Sequence, residues 1–215
     1  MIQIVVYGDS LSWGIVPGTR MRLNFADRWP GVMEGELLGR RRDVRVIEDC
    51  LNGRRTILDD PNKAGRNGLQ GLEQRIEAHS PLSLVILFLG TNDFQITHQF
   101  HARDSAQGVA MLVTAIRQAP IEPGMSVPEI LLIAPPTIRD ANGDVASKFA
   151  GAPAKAIGLA EEFRLVADQM ACDYFDAGTV VTTSPIDGVH LDASQHRVLG
   201  IAIAAQVGRI LDRDN

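Results

Sequence analysis

The chain contains 215 residues, of which 45% are hydrophobic and 22% are charged, and its formal net charge at pH 7 is -5. This length and apolar content allow one full hydrophobic core, so we expect a single domain over residues 1–215. The acidic balance argues against a nucleic-acid partner, because phosphate backbones require a basic face.

The chain begins in an apolar run, Met1 to Gly8, without a basic leader or a small-residue cleavage site. We therefore expect no export signal and a cytoplasmic location. No apolar run approaches the roughly 18 to 20 residues that span a bilayer, so no membrane partner is expected.

Short β-branched runs alternate with helix-length amphipathic segments, a pattern typical of a parallel sheet covered on both faces. The predicted strands are Gln3 to Tyr7, Val44 to Glu48, Leu82 to Leu89, Glu129 to Ile133 and Asp173 to Phe175. The third strand is apolar almost throughout, so it should lie near the centre of the sheet. We predict a three-layer α/β/α fold with a five-stranded parallel sheet of flavodoxin-like order.

Five helices are predicted between and after these strands. They are Arg28 to Gly39, Leu69 to His79, Asp104 to Ala119, Pro153 to Ala171 and Asp192 to Leu211. Asp104 and Asp192 are the predicted N-caps of their helices, because each precedes a periodic apolar stretch. Gly39 is the predicted left-handed residue at the end of the first helix.

Three polar loops that contain glycine are associated with predicted strand ends. They are Gly8 to Gly14, Gly90 to Asp93 and Asp187 to His190. Open α/β sheets bind ligands at the carboxyl ends of their strands. We therefore expect all three loops to open on the same edge of the sheet.

A serine becomes a good nucleophile when a neighbouring base takes its proton and a third group orients that base. Ser10 follows a predicted buried strand, and Asp187 and His190 share one loop with Gly188 between them. This spacing lets the carboxylate accept the Nδ1 hydrogen while Nε2 faces outward. We predict Ser10 as nucleophile, His190 as base and Asp187 as orienting group. The Gly-x-Ser-x-Gly elbow of α/β-hydrolases is absent, which disfavours that family.

Four segments together resemble the sequence blocks of the SGNH (GDSL) hydrolases, in the family's order and over nearly the whole chain. They are Gly-Asp-Ser-Leu-Ser at 8–12, Gly53, Gly-Thr-Asn-Asp at 90–93 and Asp-Gly-Val-His at 187–190. Trp13 and the Phe-Asp-Ala-Gly run at 175–178 resemble the arylesterase/acyltransferase subgroup. The resemblance implies the SGNH hydrolase fold and a serine esterase that hydrolyses short-chain and aryl esters through an acyl-enzyme on Ser10, with acyltransferase or perhydrolase activity as an extension.

The resemblance also implies an oxyanion hole, whose three donors map to the backbone amide of Ser10, the backbone amide of Gly53 and the side-chain amide of Asn92. It implies homo-oligomer formation and a small-molecule ester as substrate. The implied substrate pocket is lined by Leu11, Trp13, Ile15, Gln95, Phe149 and Val189. An apolar pocket would exclude water from the acyl-enzyme and permit transfer to an alcohol or a peroxide.

The same residues have structural alternatives. A Gly-Asp-Ser run is also typical of a turn followed by a helix N-cap, and Asn92 and Asp93 are both typical turn residues. Gly53 by itself would more often be a loop hinge. We assign Asp93 to a turn and keep the site interpretation for the others, because the four segments occur together.

Other histidines could compete for a functional role. His98 and His101 have a spacing found in metal sites, but no recognisable ligand pattern accompanies them, so we predict no metal and no cofactor. His196 is the rival base for Ser10. Its position inside the last predicted helix favours a surface or packing role.

Two alternative functions stay open at this point. A carbohydrate O-acetylesterase or a thioesterase would use the same three residues with a different pocket. A non-catalytic flavodoxin-like module would hold a phosphate or nucleotide at the strand ends, but no Gly-x-x-x-x-Gly-Lys or Gly-x-Gly-x-x-Gly pattern supports it.

Overall fold

A computed structural model describes residues 1–213 of the chain. Five strands form one parallel sheet in the order β2-β1-β3-β4-β5. They are β1 (Ile2–Gly8), β2 (Val44–Cys50), β3 (Leu84–Phe88), β4 (Glu129–Ala134) and β5 (Asp173–Asp176). Each strand lies where the sequence predicts it, and β3 is central with every residue buried. The predicted α/β fold is confirmed.

Helices cover both faces of this sheet. They are α1 (Ser10–Trp13), α2 (Trp29–Gly39), α3 (Leu72–His79), α4 (Ala102–Gln118), α5 (Ala152–Lys155), α6 (Leu159–Gln169) and α7 (Ala193–Leu211). Apolar side chains of α2 and α7 pack with one face of the sheet, and those of α3, α4 and α6 pack with the other. Successive strand residues therefore enter different cores, as the alternation of a strand requires.

The predicted helix from Pro153 to Ala171 is in fact two helices. Gly158 separates α5 from α6 with a φ of 84°, a left-handed conformation that a continuous helix excludes. The predicted N-cap of α4 was also wrong. His101 occupies that position, and Asp104 lies at the third helical residue, where its carboxylate accepts the His101 backbone N–H at 2.9 Å. The pair forms a capping box, which satisfies two backbone N–H groups at the start of the helix.

Two further predictions about helix ends need correction. Gly39 is the last residue of α2, and the left-handed conformation falls on Arg41, with a φ of 61°. Asp192 does occupy the N-cap position of α7, but its carboxylate accepts the Ser184 hydroxyl at 2.9 Å. The side chain of Asp192 thus fastens the preceding loop to the helix start.

The strand register determines where the loops begin. Gly8, the last residue of β1, pairs with Cys50 of β2 and with Phe88 of β3. The three neighbouring strands therefore end at the same level. The polar segments that follow them start side by side at the carboxyl edge of the sheet.

Close packing between α2 and α7 fixes the position of α7, the helix that follows the loop with Asp187 and His190. A Cβ placed on Gly200 would lie 2.6 Å from Val32 Cβ and 2.8 Å from the Trp29 carbonyl oxygen. In addition, the buried His196 ring accepts the Trp29 backbone N–H through Nδ1 at 3.3 Å. Only a residue without a side chain allows this separation of the two helices.

We expect Gly200→Ala to destabilise the protein by about 1 to 2 kcal/mol. Alanine favours a helix over glycine by up to about 1 kcal/mol, but overlap with the α2 backbone forces the helices apart at a cost of about 1 to 3 kcal/mol. Urea unfolding measures the difference.

Gly208→Ala is the matched control in the same helix, because a Cβ there would meet Arg40 Nη1 at an ordinary 3.9 Å. This variant should be neutral or slightly more stable. Equal effects of the two substitutions would contradict the packing argument.

Candidate active site

Ser10 lies at the first residue of α1, immediately after β1. Asp9 caps this short helix by accepting the Leu11 backbone N–H at 2.9 Å. Gly14 ends the helix with a φ of 84°. The turn holds the Ser10 hydroxyl at the carboxyl edge of the sheet, where only 6% of the residue is exposed.

The structure brings Ser10, Asp187 and His190 together in one chain of hydrogen bonds. Asp187 Oδ2 lies 2.8 Å from His190 Nδ1, and His190 Nε2 lies 3.0 Å from Ser10 Oγ. Because the carboxylate accepts the Nδ1 hydrogen, Nε2 is left to accept the serine proton. This is the arrangement that general-base activation of a hydroxyl requires.

The loop that carries Asp187 holds the carboxylate by several hydrogen bonds. Its Oδ1 accepts the backbone N–H groups of Val189 at 3.0 Å and of His190 at 2.9 Å. Burial by itself would raise the pKa of Asp187, but the hydrogen bonds from His190 and Val189 outweigh it and lower this pKa to about 2. The carboxylate is therefore ionised throughout the neutral range.

Gly188 makes the short spacing between Asp187 and His190 possible. Its φ is 77°, and a Cβ there would lie 2.5 Å from the Asp140 carbonyl oxygen. A side chain at this position would push the loop away from its neighbour. The glycine thus allows both functional groups to face one point.

Asn92 follows β3 and is joined to the loops after β1 and β2. Its Nδ2 donates to Asp9 Oδ2 at 2.9 Å and to the Arg54 carbonyl oxygen at 3.1 Å. Its Oδ1 accepts Gln95 Nε2 at 2.6 Å. Gln95, predicted to contact substrate, is buried behind Asn92 and orients it instead.

The cleft beside Ser10 can place several donors around one oxygen. Gly53 and Asn92 line it together with Ser10 and His190. Within residues 1–213, the backbone N–H groups of Ser10 and Gly53 donate to no protein acceptor. Gly53 adopts a φ of 83°, which favours glycine. An anionic substrate oxygen at this point could meet two free amides and share a hydrogen of Asn92.

Two buried carboxylates support the site, and sequence reasoning missed both roles. Burial raises the pKa of Asp9 to about 6, although its hydrogen bond from the Leu11 N–H opposes this rise. Asp93, interpreted as a turn residue, accepts the Thr56 backbone N–H, the Thr56 hydroxyl and the Ser105 hydroxyl. The one sequence feature that could have indicated these roles is that both carboxylates follow buried strands. No sequence pattern identifies their hydrogen-bond partners.

Only some of the residues predicted to line the substrate pocket lie at the cleft. Ile15 and Phe149 line the cleft with Ser10. Leu11 and Val189 are 1% exposed and belong to the two hydrophobic cores on opposite faces of the sheet. Trp13 is partly buried against Arg22, whose guanidinium carbon lies 4.7 Å from the ring centre.

The cleft is not the apolar pocket that was expected. Besides Ile15, Val145 and Phe149, its lining is polar or charged: Arg20, Asn52, Asp60, Lys63 and Lys148. The difference arises because Leu11 and Val189, which flank the reacting residues in sequence, turn into the cores. Irregular segments fill the space instead with polar side chains.

The remaining histidines lie outside the cleft. His101 caps α4, and the His98 ring lies 3.0 Å from the Asp59 carbonyl oxygen. Burial lowers the pKa of His196 to about 3, which keeps its ring neutral between α2 and α7. Residues 1–213 contain no group of three or more His, Cys, Asp or Glu arranged to hold a metal. None of the helices in this part of the chain is long and apolar enough to cross a bilayer.

Comparison with known proteins gives a consistent result. Residues 6–198 match the profile of the GDSL-like Lipase/Acylhydrolase family. A carbohydrate acetylesterase from Sinorhizobium meliloti superposes with a TM-score of 0.91 at 33% identity, over 98% of this chain and 100% of that one. The inhibitor-bound aryl esterase of M. smegmatis has a TM-score of 0.92 at 33% identity, with the same two coverages.

A carbohydrate acetylesterase family member from Sinorhizobium meliloti has a TM-score of 0.92 at 35% identity, over 99% of this chain and 100% of that one. No curated sequence is significantly similar to the chain.

The Asp187 carboxylate should make the free energy of unfolding depend on pH in the acid range. Its pKa is about 2 in the folded chain against 3.8 for an unperturbed group. As the pH falls from about 4 to about 2, the unfolded chain takes up the proton first, so about 1 to 2 kcal/mol of stability is lost. Asp187→Asn should lack this part of the loss when denaturant unfolding is followed over pH 2 to 7.

The control is Glu122→Gln, which removes an exposed carboxylate in a loop. It should keep the wild-type acid dependence. Parallel stability curves for wild type and Asp187→Asn would mean that the hydrogen bonds at Asp187 do not stabilise the fold.

Proposed function

Since the chain belongs to the GDSL-like lipase/acylhydrolase family and is a carboxylic ester hydrolase, we propose that it hydrolyses short-chain and aryl esters through an acyl-enzyme on Ser10. The observation that carries the proposal is the continuous relay from Asp187 through His190 to Ser10, with bonds of 2.8 Å and 3.0 Å.

In the first step, Ser10 Oγ attacks the carbonyl carbon while its proton passes to His190 Nε2. Asp187 stabilises the imidazolium that forms. When the tetrahedral intermediate collapses, the carbon–oxygen bond to the alcohol breaks, and His190 returns the proton to the leaving oxygen. The acyl group is then bound to Ser10.

In the second step, water enters and His190 Nε2 takes one of its protons as the water oxygen attacks the acyl carbon. Collapse of the second intermediate breaks the bond to Ser10 Oγ, which recovers a proton from His190. The products are the alcohol and the carboxylic acid, and the protein returns to its starting state.

The negative charge of both intermediates falls on the former carbonyl oxygen. We assign its stabilisation to the backbone N–H groups of Ser10 and Gly53 and to the side-chain amide of Asn92. The free state of the two backbone donors supports this assignment. The Asn92 amide must share a hydrogen that it otherwise gives to Asp9 or Arg54.

The dimensions of the cleft favour a small acyl group. The cavity beside Ser10 has a volume of about 60 Å³, and Ile15 and Phe149 give it two apolar contacts. Its polar lining gives no support to acyl transfer by exclusion of water. Acyl transfer and perhydrolysis therefore stay predictions that depend on the family resemblance.

A second candidate is the hydrolysis of acetyl groups from carbohydrates. The polar residues around the cleft, among them Asn52 and Lys63, favour it because sugar hydroxyls require hydrogen-bond partners. Two of the similar structures are described as carbohydrate acetylesterases. Rates on acetylated sugars and on aryl acetates, measured side by side, distinguish the two candidates.

Ser10→Ala should abolish both labelling by a fluorophosphonate and turnover of 4-nitrophenyl acetate. Loss of the nucleophile removes the acyl-enzyme, and comparable substitutions lower kcat by about 10⁶-fold. Ser12→Ala is the matched control, since Ser12 is a buried serine two residues away in the same helix. Turnover retained by Ser10→Ala would eliminate the mechanism.

Asn92→Ala should lower kcat by about 10² to 10³-fold, because it removes one donor from the intermediate. The same variant should still react with a fluorophosphonate, since Ser10 and His190 are unchanged. Steady-state kinetics and labelling of the folded variant test both parts. A change in kcat below about threefold would exclude Asn92 from the oxyanion hole.

A further inference from the structure

Three cationic side chains surround the opening above Ser10. Arg20, Lys63 and Lys148 line the same cleft as Ser10 and His190. They come from separate irregular segments, which follow α1, β2 and β4. The fold therefore brings together positive charges that are far apart in sequence.

Lys148 lies close to the proposed oxyanion hole. Its Nζ is 4.0 Å from the position that a Cβ on Gly53 would occupy, and Arg66 Nε is 3.9 Å from the same point. Arg66 donates to the carbonyl oxygens of Asn52 and Ala64. Within the described part of the chain, residues 1–213, Lys148 Nζ has no such partner, so its ammonium group is available to a molecule in the cleft.

No carboxylate among residues 1–213 neutralises these cations within 4.0 Å. One carboxylate lines the cleft and another orients His190, and each of them already has a partner. Asp60 pairs with the buried Arg55 at 3.4 Å, and Asp187 pairs with His190. Asp144 lies in a neighbouring groove that Arg20 also lines.

The cleft places like charges near each other. Burial lowers the pKa of Lys148, and although Asp60 opposes this, the charges of Arg55, Lys63 and Arg20 add to the lowering. The whole chain carries a net charge of -5, so the positive opening also contrasts with the rest of the protein. A bound anion would relieve the repulsion and would be attracted to this opening.

We infer that the ester substrate carries an anionic group, such as a carboxylate, a few bonds from the scissile carbonyl, and that Lys148 and Lys63 bind it while Ser10 reacts. The inference rests on the proposed function, because it assumes that Ser10 attacks the ester. The anionic group belongs to either the acyl part or the alcohol part, and both present the same chemistry to the two lysines.

Two matched pairs of esters test the inference. For the alcohol part, 4-acetoxybenzoate is compared with the neutral 4-acetoxybenzamide. For the acyl part, mono(4-nitrophenyl) succinate is compared with 4-nitrophenyl butanoate. We expect kcat/KM to favour the charged member of at least one pair, mainly through KM, and the preference to shrink as salt is raised to 1 M because screening shortens the reach of exposed charges.

Lys148→Met and Lys63→Met should each reduce the ratio of charged to neutral kcat/KM by about fivefold. Lys148→Arg should restore most of it. Arg103→Met is the matched control, since it removes one positive charge from α4 beside a groove that Ser10 does not line. That variant should keep the wild-type ratio.

The outcomes distinguish a failure of the inferred anion binding from a failure of the proposed function. Turnover of neutral esters with no preference for charge, or a preference that both lysine variants leave intact, would overturn the inference and leave the proposed function standing. No turnover of any of the four esters by the folded wild-type protein would count against the proposed function itself.

Discussion

A buried hydrogen-bond network connects the loops that follow β1, β2 and β3, and the candidate site depends on it. Asn92 donates to the Asp9 carboxylate and to the Arg54 carbonyl oxygen. The three loops can meet because the parallel register ends their strands at one level. Since unpaired polar groups are costly in a buried position, the network allows few other arrangements. Ser10 follows Asp9 directly, so the nucleophile is placed by the same contacts.

The sheet and the reacting residues could be predicted from the sequence for a physical reason. Buried parallel strands leave continuous apolar runs, and residues such as Ser10 and Asn92 directly follow such runs. Helix ends were harder to predict. The choice of His101 over Asp104 as the cap of α4, and the break at Gly158, depend on the backbone angles of single residues, which propensity does not encode.

Apart from Ile15 and Phe149, the side chains that line the cleft could not be predicted from the sequence. Leu11 and Val189 adjoin reacting residues in the chain, yet their side chains enter the cores because neighbouring residues on a turn point in different directions. Lys63 and Lys148 lie in segments without periodicity, so nothing in the pattern indicated that they line the same cleft as Ser10. Asp93 does lie in a turn, but the partners of its carboxylate were missed for a similar reason, since Thr56 and Ser105 are remote in the chain.

The relay and the cationic opening are built from different parts of the molecule. Ser10 directly follows β1, and the hydrogen-bonded loop before α7 holds Asp187 and His190. Lys63 and Lys148 instead lie on irregular connections, where substitutions are tolerated best. Natural variation could therefore exchange one ester for another by altering the connections, with the bond-breaking apparatus left as it is. On this view, the reaction mechanism and the substrate specificity of the chain can change independently of each other.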